Sequence, residues 1–204
     1  TKDQLKKLPK NFKSDDVIRN GHLEIIGKGG IFSGDVKDNF SSSDTRGKVH
    51  ITMNSIEGVQ YFLGNNSYTG NTCILNGFLG LNANYPLKKV YLRGGSLSLF
   101  GESPAVSELE WENGRLSFDF KKNGTISISK ILKFPQNPQN LFEFSNIIPR
   151  KSHTLLELKN PSEELHRLNN LRISIADKVA EKQYLAIFGT SDVSLSVVFI
   201  PEKN

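Results

Sequence analysis

Hydrophobic and polar residues alternate along most of this chain, and glycine, asparagine or proline interrupts the alternation at short intervals. A period of two places successive side chains on opposite faces of a strand, which is typical of an all-β sandwich or barrel. We therefore predict an all-β, mostly antiparallel fold of roughly a dozen strands. The predicted strands are 23–26, 48–53, 59–63, 73–81, 88–93, 96–100, 107–112, 115–121, 125–134, 141–147, 154–158, 171–176, 184–188 and 193–200.

One short helix is predicted near residues 161–169. Asn160 suits the cap position, Pro161 suits the first helical position, and Glu163 stands where a capping box places an acid. Leu165 and Leu168 are three residues apart and give this helix a short apolar stripe.

Three turn signals divide the middle of the chain into a predicted antiparallel meander over residues 88–134. Asn113-Gly114 is a strong signal for a two-residue hairpin, which would place Trp111 opposite Leu116. Gly94-Gly95 predicts a second two-residue turn, and residues 122–124 predict a three-residue turn. The Gly27–Gly30 stretch is interpreted as a hairpin turn or bulge. No internal repeat is recognised in the chain.

The predicted organisation is a basic N-terminal arm over residues 1–13 and a single β domain over residues 14–204. Pro135–Gln139 contains two prolines and marks a crossover, or a sub-domain boundary near 135–140.

Charge and cysteine content limit the function classes. The 204 residues carry a formal charge of +5, which favours anionic partners without identifying one. No stretch reaches the roughly 18 apolar residues of a membrane span. Cys73 is the only cysteine, so an internal disulfide framework and a cysteine-rich zinc site are excluded, and an intracellular location is favoured. No cofactor is predicted.

Two acidic patterns resemble catalytic sites but are better explained without catalysis. Glu108, Glu110, Glu112 and Asp119 are predicted on one hairpin face, where a carboxylate pair suits a glycosidase or a cation site. Basic residues on the same face favour a solvated surface instead. The second pattern is Glu157-Leu158-Lys159, which matches a metal-dependent nuclease tripeptide with Glu143 or Asp119 as its partner acid. We predict no enzyme, no metal site and no catalytic residue.

The predicted function is a binding or assembly module that engages a protein partner, with strand pairing as the mechanism. The last predicted strand is long, and its apolar character extends onto its second face, so it is either central or open to a partner strand. The candidate partner-binding residues are Val193, Leu195, Val197, Val198, Phe199 and Ile200.

Two alternative functions are retained. The first is nucleic-acid binding by the basic arm and the sheet, through Lys6, Lys7, Lys10, Lys13, Lys88, Lys89 and Arg93. The second is carbohydrate binding by an extracellular or viral β domain, with Trp111 and the tyrosines as stacking residues. Glycosylation at Asn39, Asn65 or Asn123 would favour the second alternative.

Overall fold

The structure is a computed structural model that describes residues 21–38, 47–122, 124–137, 140–177 and 179–202. The predicted basic arm therefore lies outside the described residues. Fourteen strands account for most of the described chain, but they differ from the predicted strands in two places. The predicted strands 48–53 and 59–63 belong to one long strand, and the second half of the Gly27–Gly30 stretch, interpreted as a hairpin turn or bulge, begins a strand of its own. The fourteen strands are β1 (Gly21–Ile25), β2 (Gly29–Phe32), β3 (Val49–Phe62), β4 (Asn71–Asn82), β5 (Leu87–Leu92), β6 (Ser96–Phe100), β7 (Ala105–Trp111), β8 (Arg115–Asp119), β9 (Ile126–Lys133), β10 (Phe142–Ser145), β11 (Ser152–Leu158), β12 (Arg172–Asp177), β13 (Lys182–Ser191) and β14 (Ser194–Pro201).

The predicted short helix is confirmed as a 3₁₀ helix over Glu163–Leu168. Leu165 and Leu168 are buried, as the apolar stripe predicts. The cap differs from the prediction, because Ser162 occupies the N-cap position and makes no side-chain cap hydrogen bond. The Asn160 side chain instead donates from Nδ2 to the carbonyl oxygen of Ser129 at 2.6 Å.

Between β4 and β11 the strands form a coil in which each strand pairs with the strand two places along the chain, while the long strands β3 and β4 pair with each other. β5 pairs with β7 and β7 with β9, while β6 pairs with β8 and β8 with β10. The front wall consists of β1, β5, β7, β9, β11 and the first parts of β3 and β4. The back wall consists of β2, β6, β8, β10 and the later parts of β3 and β4.

The all-β class is confirmed, but the prediction that the strands are mostly antiparallel is wrong. Among the residues the structure describes, ten of the thirteen strand pairings are parallel. The predicted hairpins fail for the same reason: the strands on either side of Asn113-Gly114 lie on different walls and pair with neighbouring coils. Glu112 N donates to Leu92 O, and Arg115 N donates to Gly95 O, so this turn is a corner stacked on the corner of the preceding coil.

Glycines occupy one corner of three successive coils. Gly77, Gly95 and Gly114 have φ angles of +80°, +59° and +87°, in the left-handed region that favours glycine. A Cβ built on Gly95 would lie 2.3 Å from the carbonyl oxygen of Gly77. The corner therefore requires glycine both for its backbone conformation and for the close approach of adjacent coils.

The buried core lies between the two walls and is built from inward columns of apolar residues. Ile74, Leu92 and Trp111 occupy equivalent positions on the front wall, and each is 0% exposed. The inward residues of the middle strands are those that the alternating pattern predicts, although their strand partners differ.

Three antiparallel pairings close the C-terminal end of the coil. β11 continues the front wall beside β9, and β14, β13 and β12 follow it across the sheet in that order. This reversal brings β12 close to β10, the last strand of the back wall. The sheet is therefore nearly closed, as expected for a barrel, with a gap in hydrogen bonding between β10 and β12.

We predict that Gly95→Ala lowers the free energy of unfolding by more than about 2 kcal/mol, because it adds both left-handed strain and a backbone clash. Chemical denaturation measures this loss. The control is Gly30→Ala, since a Cβ at Gly30 meets no atom within 4 Å. Equal stability losses in the two variants would contradict the corner argument.

Candidate functional site

The gap between β10 and β12 opens into a cavity of about 670 Å³. Its lining includes the consecutive residues 140–145 of the β10 segment and 173–176 of β12. Alternate residues of a strand line a cavity on its face, whereas consecutive residues line a cavity at its edge. The cavity therefore lies along the free edges of both strands, and we call it the seam groove.

Each of the two strands has hydrogen-bonding groups directed away from its paired neighbour. Leu116 N donates to Leu141 O and Phe120 N donates to Ser145 O, so alternation directs the carbonyl groups of Phe142 and Phe144 away from β8. Directly before β12, Leu171 O accepts a hydrogen bond from Phe188 N of β13. The same alternation directs the backbone groups of Arg172, Ser174 and Ala176 away from β13.

Two asparagines bracket the short strand β10. Asn140 and Asn146 have φ angles of +62° and +53°, and asparagine tolerates this left-handed conformation better than most residues. The Asn146 side chain donates from Nδ2 to Asp119 Oδ1 at 2.6 Å, which holds the end of β10 against β8. The chain therefore enters and leaves β10 through sharp turns, so that only a short strand borders the groove.

Phenylalanines form the floor of the seam groove and hold its two sides together without backbone hydrogen bonds. Phe142 of β10 stacks on Phe188 of β13 with ring centroids 5.3 Å apart. Phe144 meets Phe199 of β14 edge to face at 4.9 Å. All four rings are less than 9% exposed, so the floor belongs to the core.

Asp177 fastens one end of the gap. Its Oδ2 accepts a hydrogen bond from Ile147 N at 2.8 Å, and its Oδ1 accepts from Val179 N at 2.9 Å and Ala180 N at 3.1 Å. Burial alone would raise the pKa of Asp177, but the backbone N–H groups of Ile147, Ala180, Val179 and Asn146 stabilise the carboxylate and hold the pKa below its ordinary value. The ionised carboxylate thus joins the segment after β10 to the turn after β12.

The mouth of the seam groove carries charges of both signs and an apolar outer rim. Arg115 and Glu143 form an ion pair at 2.6 Å. Tyr61, Phe78 and Phe100 extend the lining along the outer face of the back wall.

A second cavity of about 480 Å³ lies on the outer face of the front wall. His22 Nε2 lies 2.8 Å from Thr52 Oγ1, and His50 Nδ1 accepts from Asn71 N at 3.0 Å. Burial raises the pKa of the neighbouring Cys73 thiol, which opposes thiolate formation. Within the described ranges, no group of three or more histidine, cysteine, aspartate or glutamate residues could hold a metal ion.

Comparison of this chain with protein-family models, with curated proteins and with solved structures found no match. No helix in the described part of the chain is long and apolar enough to cross a membrane.

The predicted partner-binding strand is central. β14 is hydrogen-bonded to β11 on one edge and to β13 on the other, so no partner strand can pair with it. Leu195, Val197 and Phe199 are 0% exposed and pack in the core. Val198 and Ile200 lie on the second face beside Ile187 and Leu185, while Val193 lies in the turn before β14. The free edges belong to other strands, which sequence reasoning did not single out.

The basic residues predicted to bind nucleic acid do not form a surface of uncompensated charge where the structure describes them. Lys89 and Arg93 both pair with Glu110, at 3.4 Å and 3.5 Å, and both lie against the ring of Tyr91. Lys88 is exposed. Lys6, Lys7, Lys10 and Lys13 lie outside the described residues.

The predicted acidic face is split between the two walls. Glu108, Glu110 and Glu112 project from the β7 end of the front wall and pair with Lys89, Arg93 and Lys133. Asp119 lies on β8 in the back wall, because β7 and β8 are successive sides of a coil and not a hairpin.

The other predicted site residues lie apart. Glu157 is exposed on β11, which does not neighbour β10 and its Glu143 in the sheet. Trp111 is fully buried, so it cannot stack on a bound sugar, and Asn65 is exposed. Asn39 and Asn123 lie outside the described residues.

We predict that Asp177→Asn lowers the free energy of unfolding at neutral pH by about 1–3 kcal/mol. The backbone N–H groups around Asp177 donate to both of its carboxylate oxygens, and an asparagine side chain offers them only one acceptor oxygen. Since folding depresses the pKa of Asp177, its stabilisation is complete above the ordinary value of 3.8 and is lost as pH falls through the folded-state pKa. Urea denaturation at a series of pH values should show the difference between wild type and variant shrinking below about pH 4.

The matched control is Asp192→Asn, since the side chain of Asp192 is 74% exposed in its contact with His166. This change should leave stability nearly unaltered at every pH. A pH-independent loss in Asp177→Asn would show that the carboxylate charge is not what holds the gap.

Proposed function

We propose that this protein is a non-catalytic binding module that captures an extended segment of a protein partner by strand pairing in the seam groove. One observation carries the proposal: β10 and β12 are each paired on one edge, and their other edges border the same cavity. Free strand edges are templates for an added strand, and natural binding domains use them to hold extended peptides.

Backbone groups supply the attraction. The carbonyl groups of Phe142 and Phe144 and the backbone groups of Ser174 and Ala176 are directed toward the gap by the alternation of the two ladders. A bound strand would pair with the free edge of β12 alone, because some Cα atoms of β10 and β12 lie within 8 Å of each other and two strands that flank a third are about 9.6 Å apart. The cavity volume lies within the usual range for ligand pockets.

Side chains of the groove supply selectivity. Ile173 and Ile175 of β12 are partly buried against the core, and Phe142 and Phe188 form the floor below them. An inserted strand directs alternate side chains inward and outward. The favoured ligand is therefore a segment with apolar residues at every second position and polar residues between them.

The charged side chains at the mouth of the groove favour a ligand that carries a charged residue next to its apolar positions. Arg115 and Glu143 already form an ion pair, with the arginine side chain 47% exposed. Exposed ion pairs contribute little stability, so a charged residue of the ligand can replace one member at small cost. Because backbone hydrogen bonds and apolar contacts supply most of the binding energy in this proposal, the affinity for the peptide should change little with salt concentration. The affinity for a nucleic acid should instead fall steeply as salt is added.

We predict that Ser174→Pro abolishes the binding of extended peptides, because proline removes the N–H that β12 presents to the gap and leaves the β13 ladder intact. Peptides selected from a phage-displayed random library against the wild-type chain are the probes. Fluorescence anisotropy measures their affinity at low and at high salt.

Ser174→Ala is the matched control. Both changes remove the 3.0 Å hydrogen bond from Ser174 Oγ to Glu202 Oε2, but alanine keeps the backbone N–H. The proposal requires binding to survive in the alanine variant and to be lost in the proline variant. Peptide binding unaffected by Ser174→Pro would reject the seam groove. Tight binding of a labelled single-stranded oligonucleotide, lost at high salt, would favour the nucleic-acid alternative instead.

A further inference from the structure

The first coil leaves inward-facing apolar residues uncovered. Leu23 is in register with Ile51, and Phe32 is in register with Phe62. Ile51 and Phe62 are 0% and 3% exposed, whereas Leu23 and Phe32 are 40% and 45% exposed. The same inward position is thus buried in the second coil and open in the first.

The backbone of the first coil is also open on one side. β1 and β2 each pair with β3, and no other described strand pairs with them. Both strands therefore present a free edge next to exposed core residues. We call this combination of apolar surface and unpaired backbone the end surface of the coil. It is formed by β1 and β2, whereas the seam groove lies between β10 and β12.

The sequence of β1 is complementary to itself when two copies run antiparallel. The strand reads Gly-His-Leu-Glu-Ile over Gly21–Ile25. Centring the pair on Leu23 places Leu23 opposite Leu23 of the copy, and places His22 opposite Glu24 of the copy on the outer face. A histidine that faces a carboxylate can form a hydrogen-bonded pair, whereas two carboxylates that face each other destabilise an antiparallel pair.

We infer that the end surface binds a second copy of this chain, with β1 pairing antiparallel across a two-fold axis at Leu23. The contact continues the coil ladder that already joins β1 to β3. One pairing removes the free edge of β1 from both copies and covers Leu23, Ile25 and Phe32 in each. Two-fold dimers of this isologous kind are the commonest oligomers of soluble proteins.

The test is sedimentation velocity on the full 204-residue chain over a range of loading concentrations. Wild type should sediment as a dimer that dissociates on dilution. Leu23→Asp should sediment as a monomer at every concentration, because two carboxylates would face each other across the axis. Val193→Asp, at the 43% exposed turn before β14, should leave the dimer intact.

A charge exchange provides a second test that does not alter the apolar residues. His22→Glu places a second carboxylate opposite Glu24 of the copy and should weaken the dimer several-fold. Adding Glu24→His to the same chain restores a histidine opposite a carboxylate and should recover the wild-type affinity. Both variants lose the His22 contact with Thr52, and the double variant also loses the hydrogen bond from Asn54 Nδ2 to Glu24 Oε1 at 3.2 Å. Recovery of the dimer despite this second loss would therefore reflect the pairing across the axis.

A wild-type chain that remains monomeric would overturn the inference, as would a dimer insensitive to both Leu23→Asp and His22→Glu. If wild type is monomeric and the β1 amides are nonetheless protected from hydrogen exchange, another part of the same chain covers the end surface. The sedimentation experiment tests β1, and the peptide-binding experiment tests β12. The two proposals can therefore fail independently.

Discussion

Backbone hydrogen bonding between successive coils is the interaction on which the rest of this structure depends. Each wall is a parallel ladder, so a strand is stable only when the neighbouring coils supply its partners. The ladders continue around the stacked corners, where Gly95 approaches Gly77 and Gly114 approaches Gly94. Inward apolar columns form because these hydrogen bonds hold equivalent positions of successive coils in register.

The two ends of the coil differ in structure: antiparallel strands continue the sheet at one end, and strand edges remain unpaired at the other. At the C-terminal end, β12, β13 and β14 reverse direction and close the sheet, but the reversal does not rebuild the ladder between β10 and β12. Asp177 and the Phe142–Phe188 stack join the two sides instead. At the other end, β1 and β2 keep free edges beside exposed core residues. Both proposed binding surfaces are therefore consequences of where the parallel ladder stops.

Much of the fold was predictable, and one further signal was available. The positions of most strands and the inward faces of β7 and β8 follow from the alternating pattern. The sequence contains a repeat that the sequence analysis did not recognise: Ile74, Leu92 and Trp111 are each followed three residues later by a corner glycine and five residues later by a buried leucine. The spacing of 18 and 19 residues between these positions is the length of one coil, and a repeat of this length indicates stacked coils and not hairpins.

The sequence by itself determined the positions of most strands, their inward side chains and the turns at Gly95 and Gly114, because these depend on local alternation and turn chemistry. Only the tertiary structure decided which strands pair. A period of two is the same in parallel and antiparallel ladders, and an Asn-Gly turn serves a coil corner as well as a hairpin. Strand edges become free or paired only when the whole ladder is assembled, so neither the seam groove nor the end surface could be located by reading along the chain.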